Sequence, residues 1–232
     1  MSLLTLVQDA CVRLGITKPA SAYGSADPQI VQLVGLAQQE GKELNRRHAW
    51  QRTTKEQTFT ATATEAQASA LPSDFDRYID ETMFNRTRKR HVYGPLTPQE
   101  WQFQKSVLTS TIVENWRQRG NSVMITPTAT ASDTYAFEYV STNWCQSSGA
   151  VEQSSWAADT DTGLLSEDLM KLGVIWRFKS AKGFSYDEEF RNYELQVAQA
   201  IVRDGGKKTL NISRSKTNQP RGIFIQDGSW SV

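Results

Sequence analysis

Histidine and cysteine are scarce in this chain, with 2 of each among 232 residues. Cys11 and Cys145 lie far apart and form no CxxC pair, so the spacing of a structural zinc site or a disulfide framework is missing. Both are expected to be free thiols in a reducing compartment. His48 and His91 are too few for a His-rich metal centre, and His48 follows Arg46-Arg47 at a helix end, where a cation suits the helix dipole. An excess of one charge is also missing. The chain has 26 basic and 25 acidic residues, a formal net charge of +1, which gives no global drive toward nucleic acid or an anionic membrane. No apolar run approaches transmembrane length, and residues 1–14 lack the basic n-region of a signal peptide. The expectation is a soluble protein made in a cytoplasm, in which the sequons at Asn85 and Asn211 are chance matches. P-loop, GxGxxG, HExxH and nucleophile-elbow patterns are all missing, so no catalytic residue, cofactor or metal is expected.

Helix signals dominate both ends of the chain. Ser2 caps a stripe of Leu3, Leu6, Val7, Ala10, Cys11 and Leu14, and Gly15 stops it. Asp27-Pro28 starts a second helix with Ile30, Leu33, Val34, Ala37, Gly41 and Leu44 on one face. Gly35 and Gly41 weaken that helix by about 1 kcal/mol each and admit a close neighbour, expected to be another helix. A fourth helix is predicted over 166–183, with Leu169, Leu172, Gly173 and Trp176 buried and Phe178 a further candidate for burial. A fifth follows over 185–204, with Phe190, Tyr193, Val197 and Ile201 as its stripe and a capping box at Ser185-Tyr186-Asp187-Glu188.

The middle is mostly strand. A Thr-rich alternation covers 53–64, Leu71-Pro72-Ser73-Asp74-Phe75 is a turn, and short strands are predicted at 81–85, 89–93, 111–117, 122–126 and 134–141. Arg119-Gly120-Asn121 is a hairpin turn, and Thr97-Pro98-Gln99-Glu100 opens a short third helix. Residues 143–163 read as a long loop anchored by Trp144 and Trp156. The expected fold class is α+β: an antiparallel bundle of about four long helices, formed by 1–50 and 164–206, with a small antiparallel β domain at 51–142 inserted between its halves. The connecting loop is 143–163, and an extended C-terminal arm covers 207–232.

Two patterns bear on function. Arg86, Arg88, Lys89 and Arg90 form the one basic run, a candidate contact for DNA phosphates or an acidic partner. A solvated hairpin edge is the plainer reading. The arm is the stronger signal. It holds Ile212, Ile223, Phe224, Ile225 and Trp230 among Lys207, Lys208, Arg214, Lys216 and Arg221, whereas solvated tails are poor in large apolar residues. Extended segments with such anchors add a strand to a sheet or lie in a groove. These five apolar residues are therefore expected to dock on a partner, the alternative being a disordered tail or a strand folded back on the chain's own body. Paired carboxylates such as Asp187, Glu188 and Glu189 could serve a hydrolase, but acids in a first helical turn ordinarily complement the dipole.

Four features in this order resemble the head–tail adaptor (connector, or head-completion) proteins of short-tailed phages: the opening helix with its Gly15 break and the helix over 27–50; Leu71-Pro72-Ser73-Asp74-Phe75 after a Thr-rich strand; Trp156 with the acidic stretch 159–168; and Ile175-Trp176-Arg177-Phe178-Lys179 leading through Lys182-Gly183-Phe184-Ser185-Tyr186 to Tyr193-Glu194. The resemblance covers the chain to about residue 204. It implies a structural virion protein at the head–tail junction, forming a homo-oligomeric ring of twelve below the portal. In that setting the C-terminal arm grips the portal protein, the distal side carries the tail nozzle or fibre proteins, and double-stranded DNA passes through the channel without specific contacts. No membrane is involved. Two rival expectations are a peptidoglycan hydrolase using paired carboxylates and a DNA-binding protein using the basic run at 86–90.

Overall fold

The computed structural model describes residues 2–107 and 113–205. Its first helix, α1 (Leu3–Leu14), starts where the Ser2 hydroxyl accepts the Thr5 N–H and ends at Gly15, whose left-handed φ of 69° closes the C-cap. α2 (Pro28–Arg47) starts at Asp27, whose carboxylate accepts the Gln29 N–H at 2.9 Å. Its last carbonyls are met from the sheet: Arg77 Nη2 donates to the carbonyls of Asn45 and His48 at 3.1 and 2.9 Å.

A five-stranded antiparallel sheet follows, built from β1 (Thr54–Thr60), β3 (Phe75–Tyr78), β4 (Phe84–Asn85), β5 (Arg90–His91) and β8 (Thr134–Ser141). β8 is its spine. β1 runs along one side of β8, with Thr54 opposite Val140 and Thr60 opposite Thr134, while β3 and β4 share the other side and β5 pairs with β4. A second sheet joins β2 (Ala66–Gln67), β7 (Ser122–Thr126) and β6 (Asn115–Arg119). Between them lies an aromatic core of Phe59, Trp116, Tyr135, Phe137 and Tyr139, with Phe75 and Tyr78 partly buried against it. Phe59 stacks on Tyr135 at 5.5 Å, and Tyr78 meets Trp116 edge-on at 4.5 Å. α3 (Pro98–Val107) belongs to this part of the chain and starts at Thr97, whose capping box with Glu100 forms as expected.

The remaining strands are β9 (Cys145–Gln146), β10 (Glu152–Gln153) and β11 (Thr162–Gly163), which make a third sheet in the order β10-β9-β11. α4 (Glu167–Ala181) and α5 (Asp187–Asp204) complete the chain as far as it is described. A separate core forms where α1, α2, α4 and α5 meet Trp50, Trp144, Cys145 and Trp156.

The four-helix bundle expected from the sequence is not formed. The described residues make a mixed α+β structure of five helices and three antiparallel sheets. The reason lies in two elements. α4 is central, packing against α1, α2 and α5, and it buries more than a single stripe, including Met170, Val174, Ile175 and Arg177 as well as Leu169 and Phe178. α1 has 12 residues, too few to run the length of the 20-residue α2, and the core that the helices share also takes in the indoles of Trp144 and Trp156, which flank strands of the third sheet. That sheet replaces the loop expected over 143–163. Gly41 shows the consequence: a Cβ there would strike the Trp144 ring, so the close neighbour it admits is an indole and not a helix. The helix–helix approach occurs instead at Gly173 of α4, against the Glu40 carboxylate of α2. The expected Ser185 capping box does not form either. Tyr186 is the N-cap, without a side-chain hydrogen bond, and Glu189 is drawn to Lys179. Among the described residues no helix is long and apolar enough to cross a membrane.

Candidate functional site

The basic run sits on the β4–β5 hairpin, with Arg86–Lys89 at its tip and Lys89 at a left-handed φ of 54°. The structure divides the four cations into two kinds. Arg86 pairs with Glu56 of β1 at 2.8 Å, and Arg88 Nε donates to Asp133 at 2.7 Å while its Nη2 reaches Thr130. Lys89 and Arg90 are exposed and make no ion pair among the described residues. Half the charge that recommended this run for phosphate contact is therefore neutralised inside the chain, which favours the hairpin-edge reading. Beside it lies an open groove of about 610 Å³ on the outer face of the first sheet, lined by Glu56, Glu81, Thr82, Phe84, Arg86 and Glu138.

Beneath the hairpin is a polar cluster that the sequence did not announce. Asn85 Nδ2 donates to both oxygens of Glu114 at 3.3 Å and to Asp133 at 3.1 Å; Tyr135 donates to Glu114 at 3.0 Å. Both carboxylates are buried. Burial, then the Glu114 charge, pushes the Tyr135 hydroxyl well above its ordinary range, so it stays a donor. Donors from three side chains converge on the two acids, and Asn85 Oδ1 accepts the Arg88 backbone N–H at 2.9 Å, so the cluster clasps the hairpin to the sheet. The carboxylates named from sequence fare otherwise: Asp187, Glu188 and Glu189 occupy the first turn of α5, and a hydrogen bond from Lys179 holds Glu189 below the usual carboxylate range.

The resemblance motifs fall on the joints of the framework. Asp74, in the turn Leu71-Pro72-Ser73-Asp74-Phe75, ties β1 and β8 to the start of β3. Its carboxylate accepts from Lys55 of β1 at 2.7 Å, from the Ser141 hydroxyl at 2.8 Å and from the Tyr139 hydroxyl at 2.9 Å. Burial disfavours the Asp74 charge, but these donors outweigh it and hold the carboxyl below its ordinary range. Burial, with the same bond to Asp74, lifts Tyr139 to about 12. Asp159 receives the Ser21 hydroxyl at 2.6 Å and the Tyr23 N–H at 2.6 Å, fixing the connection between α1 and α2. Arg177 lies between α2 and α5. Its Nη1 is 2.6 Å from Glu40 Oε2, its Nη2 donates to Glu43 at 2.5 Å, and Tyr193 of α5 donates to Glu40 at 2.6 Å. The Arg177–Glu40 contact is ionic without hydrogen-bond geometry. Glu40 is 0 % exposed, and burial pushes its carboxyl upward against the pull of Arg177.

The outer side of α5 carries apolar residues that nothing described covers. Leu195 and Val202 are 58 % and 68 % exposed, and with the exposed Arg191 and Ala198 they form one stripe opposite the buried Tyr193 and Val197. Phe190, expected in the buried stripe, sits at its rim, 39 % exposed, with its ring against Trp176. The i, i+7 spacing of Leu195 and Val202 was present in the sequence but was masked by the stronger inward stripe. The arm anchors Ile212, Ile223, Phe224, Ile225 and Trp230 lie outside the described residues. Among the described residues no group of three or more His, Cys, Asp or Glu side chains converges on a metal position. A comparison of the chain with protein-family models and with curated proteins finds no match.

Proposed function

We propose that this chain is a structural adaptor of a phage head–tail junction, which assembles with further copies into a ring, docks on the portal through its C-terminal arm and carries the tail nozzle on its far side. The observation that carries this reading is where the resemblance motifs lie. Asp74, Asp159 and Arg177 are each the centre of a joint between elements distant in sequence, as a part that transmits load requires. The α5 stripe of Leu195, Ala198 and Val202, flanked by the exposed polar side chains of Arg191, Asn192 and Gln199, supplies an apolar strip with a polar rim, the composition of a lateral contact. A ring needs two unlike surfaces that meet at a fixed rotation, and near-neutral net charge lets DNA pass without sticking.

The test is co-sedimentation with assembled portal rings. The full chain is expected to pellet with portal, and a chain lacking 211–232 is expected to stay in the supernatant while keeping its circular dichroism. Equal pelleting of the two chains removes the arm from the account, and failure of both to pellet removes the adaptor.

A further inference from the structure

β1 is an edge strand. Its parity is set by bonds at its two ends: the Ser141 N–H donates to the Thr53 carbonyl, and the Ala61 N–H donates to the Asp133 carbonyl. The backbone groups of odd-numbered residues therefore face β8, and the N–H and C=O groups of Glu56, Thr58 and Thr60 point away from it. Nothing among the described residues pairs with these groups, along a strand of seven residues without proline or bulge. Such an edge is a template for another strand, and proteins ordinarily cover or blunt it.

The chain leaves α5 near the start of β1. Asp204 Oδ2 accepts the Gln51 N–H at 2.8 Å and lies 3.7 Å from His48 Nε2, which fixes the end of α5 three residues before β1 starts. Seventeen residues, 206–222, then precede Ile223-Phe224-Ile225. Fully extended they span about 55–60 Å, against roughly 23 Å for β1, so the tether reaches any point of the edge. Charge agrees. The segment 206–232 has five cations and one acid, Asp227, while Glu138 of β8, opposite Glu56 of β1, is exposed and makes no ion pair among the described residues.

We propose that in the free chain the segment 222–226 adds as a further strand to the open edge of β1 in the same molecule. Ile, Phe and Ile suit a strand, and glycine at 222 frees the chain to turn into it. Pairing satisfies the outward backbone groups of Glu56, Thr58 and Thr60. The inference stands on the edge and the tether alone. Combined with the adaptor reading, it means that the portal must compete with β1 for the arm.

The test is residue-resolved amide exchange by NMR on the full chain and on a Phe224→Pro/Ile225→Pro variant, whose tail cannot donate to a ladder. In the full chain the amides of Glu56, Thr58 and Thr60 are expected to exchange at least about tenfold more slowly than in the variant, with no change on tenfold dilution. Equal exchange in the two proteins overturns the proposal. Protection that disappears on dilution also overturns it, because the strand then comes from a second copy. Portal binding by the unaltered chain is scored separately. A chain that binds portal with an unprotected β1 loses this inference and keeps the adaptor reading, and a protected chain that ignores portal does the reverse.

Discussion

Replacing Arg177 by Met removes the cation from a carboxylate that water cannot reach. Glu40 is 0 % exposed and keeps only the Tyr193 hydroxyl as a donor once Arg177 is gone. Breaking a buried pair from one side destabilises by about 3–5 kcal/mol, because the remaining charge is left uncompensated. The variant also loses the guanidinium over the Trp176 ring at 4.4 Å, roughly another 0.5–1 kcal/mol, which Met sulfur partly restores. At an m-value of about 3 kcal/mol/M, the urea midpoint followed by tryptophan fluorescence should fall by about 1–2 M near neutral pH. The pH dependence has a definite sign. Burial already holds the Glu40 carboxyl above its ordinary value, and losing Arg177 raises it further. Between the unfolded and folded pKa values the native chain binds more protons than the unfolded one. Stability therefore falls as pH rises through that window, and the penalty is full above it. The loss should be largest near pH 8 and smaller near pH 5. Adding Glu40→Gln should restore most of the stability and flatten the pH dependence, since Gln still accepts from Tyr193. A loss below about 1 kcal/mol, or no rescue by Glu40→Gln, would refute the reasoning.

Three further outcomes are expected. Asp74→Asn should lower stability by about 1.5–3 kcal/mol at neutral pH. The folded pKa of Asp74 lies below its unfolded value, so its contribution is present above the unfolded value and is lost as pH falls through the folded one. Urea midpoints from pH 7 down to about pH 3 should show an acid limb in the parent that the variant has partly lost. Gly41→Ala should destabilise by at least about 1–3 kcal/mol because its methyl strikes Trp144, while Gly35→Ala, with open space around it, should stabilise by about 0.5–1 kcal/mol; thermal melts of the pair read the difference. Arg88→Ala should cost about 1.5–3 kcal/mol by leaving the buried Asp133 carboxylate without its guanidinium partner, and Arg90→Ala should stay within about 0.5 kcal/mol, as chemical denaturation will show.

The parts of the fold legible in the sequence were those fixed by local chemistry. Ser2, Gly15, Asp27-Pro28 and the Thr97–Glu100 box set helix ends through bonds within a few residues, and the structure places them as read. The four-helix bundle failed because inward stripes say that a helix is buried, not what buries it. The indoles of Trp144 and Trp156 take space that the pattern assigned to helices. The strands Cys145–Gln146, Glu152–Gln153 and Thr162–Gly163 are two residues each, too short to show alternation. The joints were invisible for a different reason. Arg177 with Glu40, and Asn85 with Glu114 and Asp133, are brought together by tertiary packing, and neither set forms a local motif. The basic run was legible, but its neutralisation by Glu56 and Asp133 was not.

The adaptor account is tested most directly by electron microscopy of the purified chain mixed with assembled portal rings. The account predicts a second ring of added density below each portal, twelvefold by the resemblance, that is missing when residues 211–232 are deleted. Portal particles unchanged by a saturating excess of the full chain would contradict it.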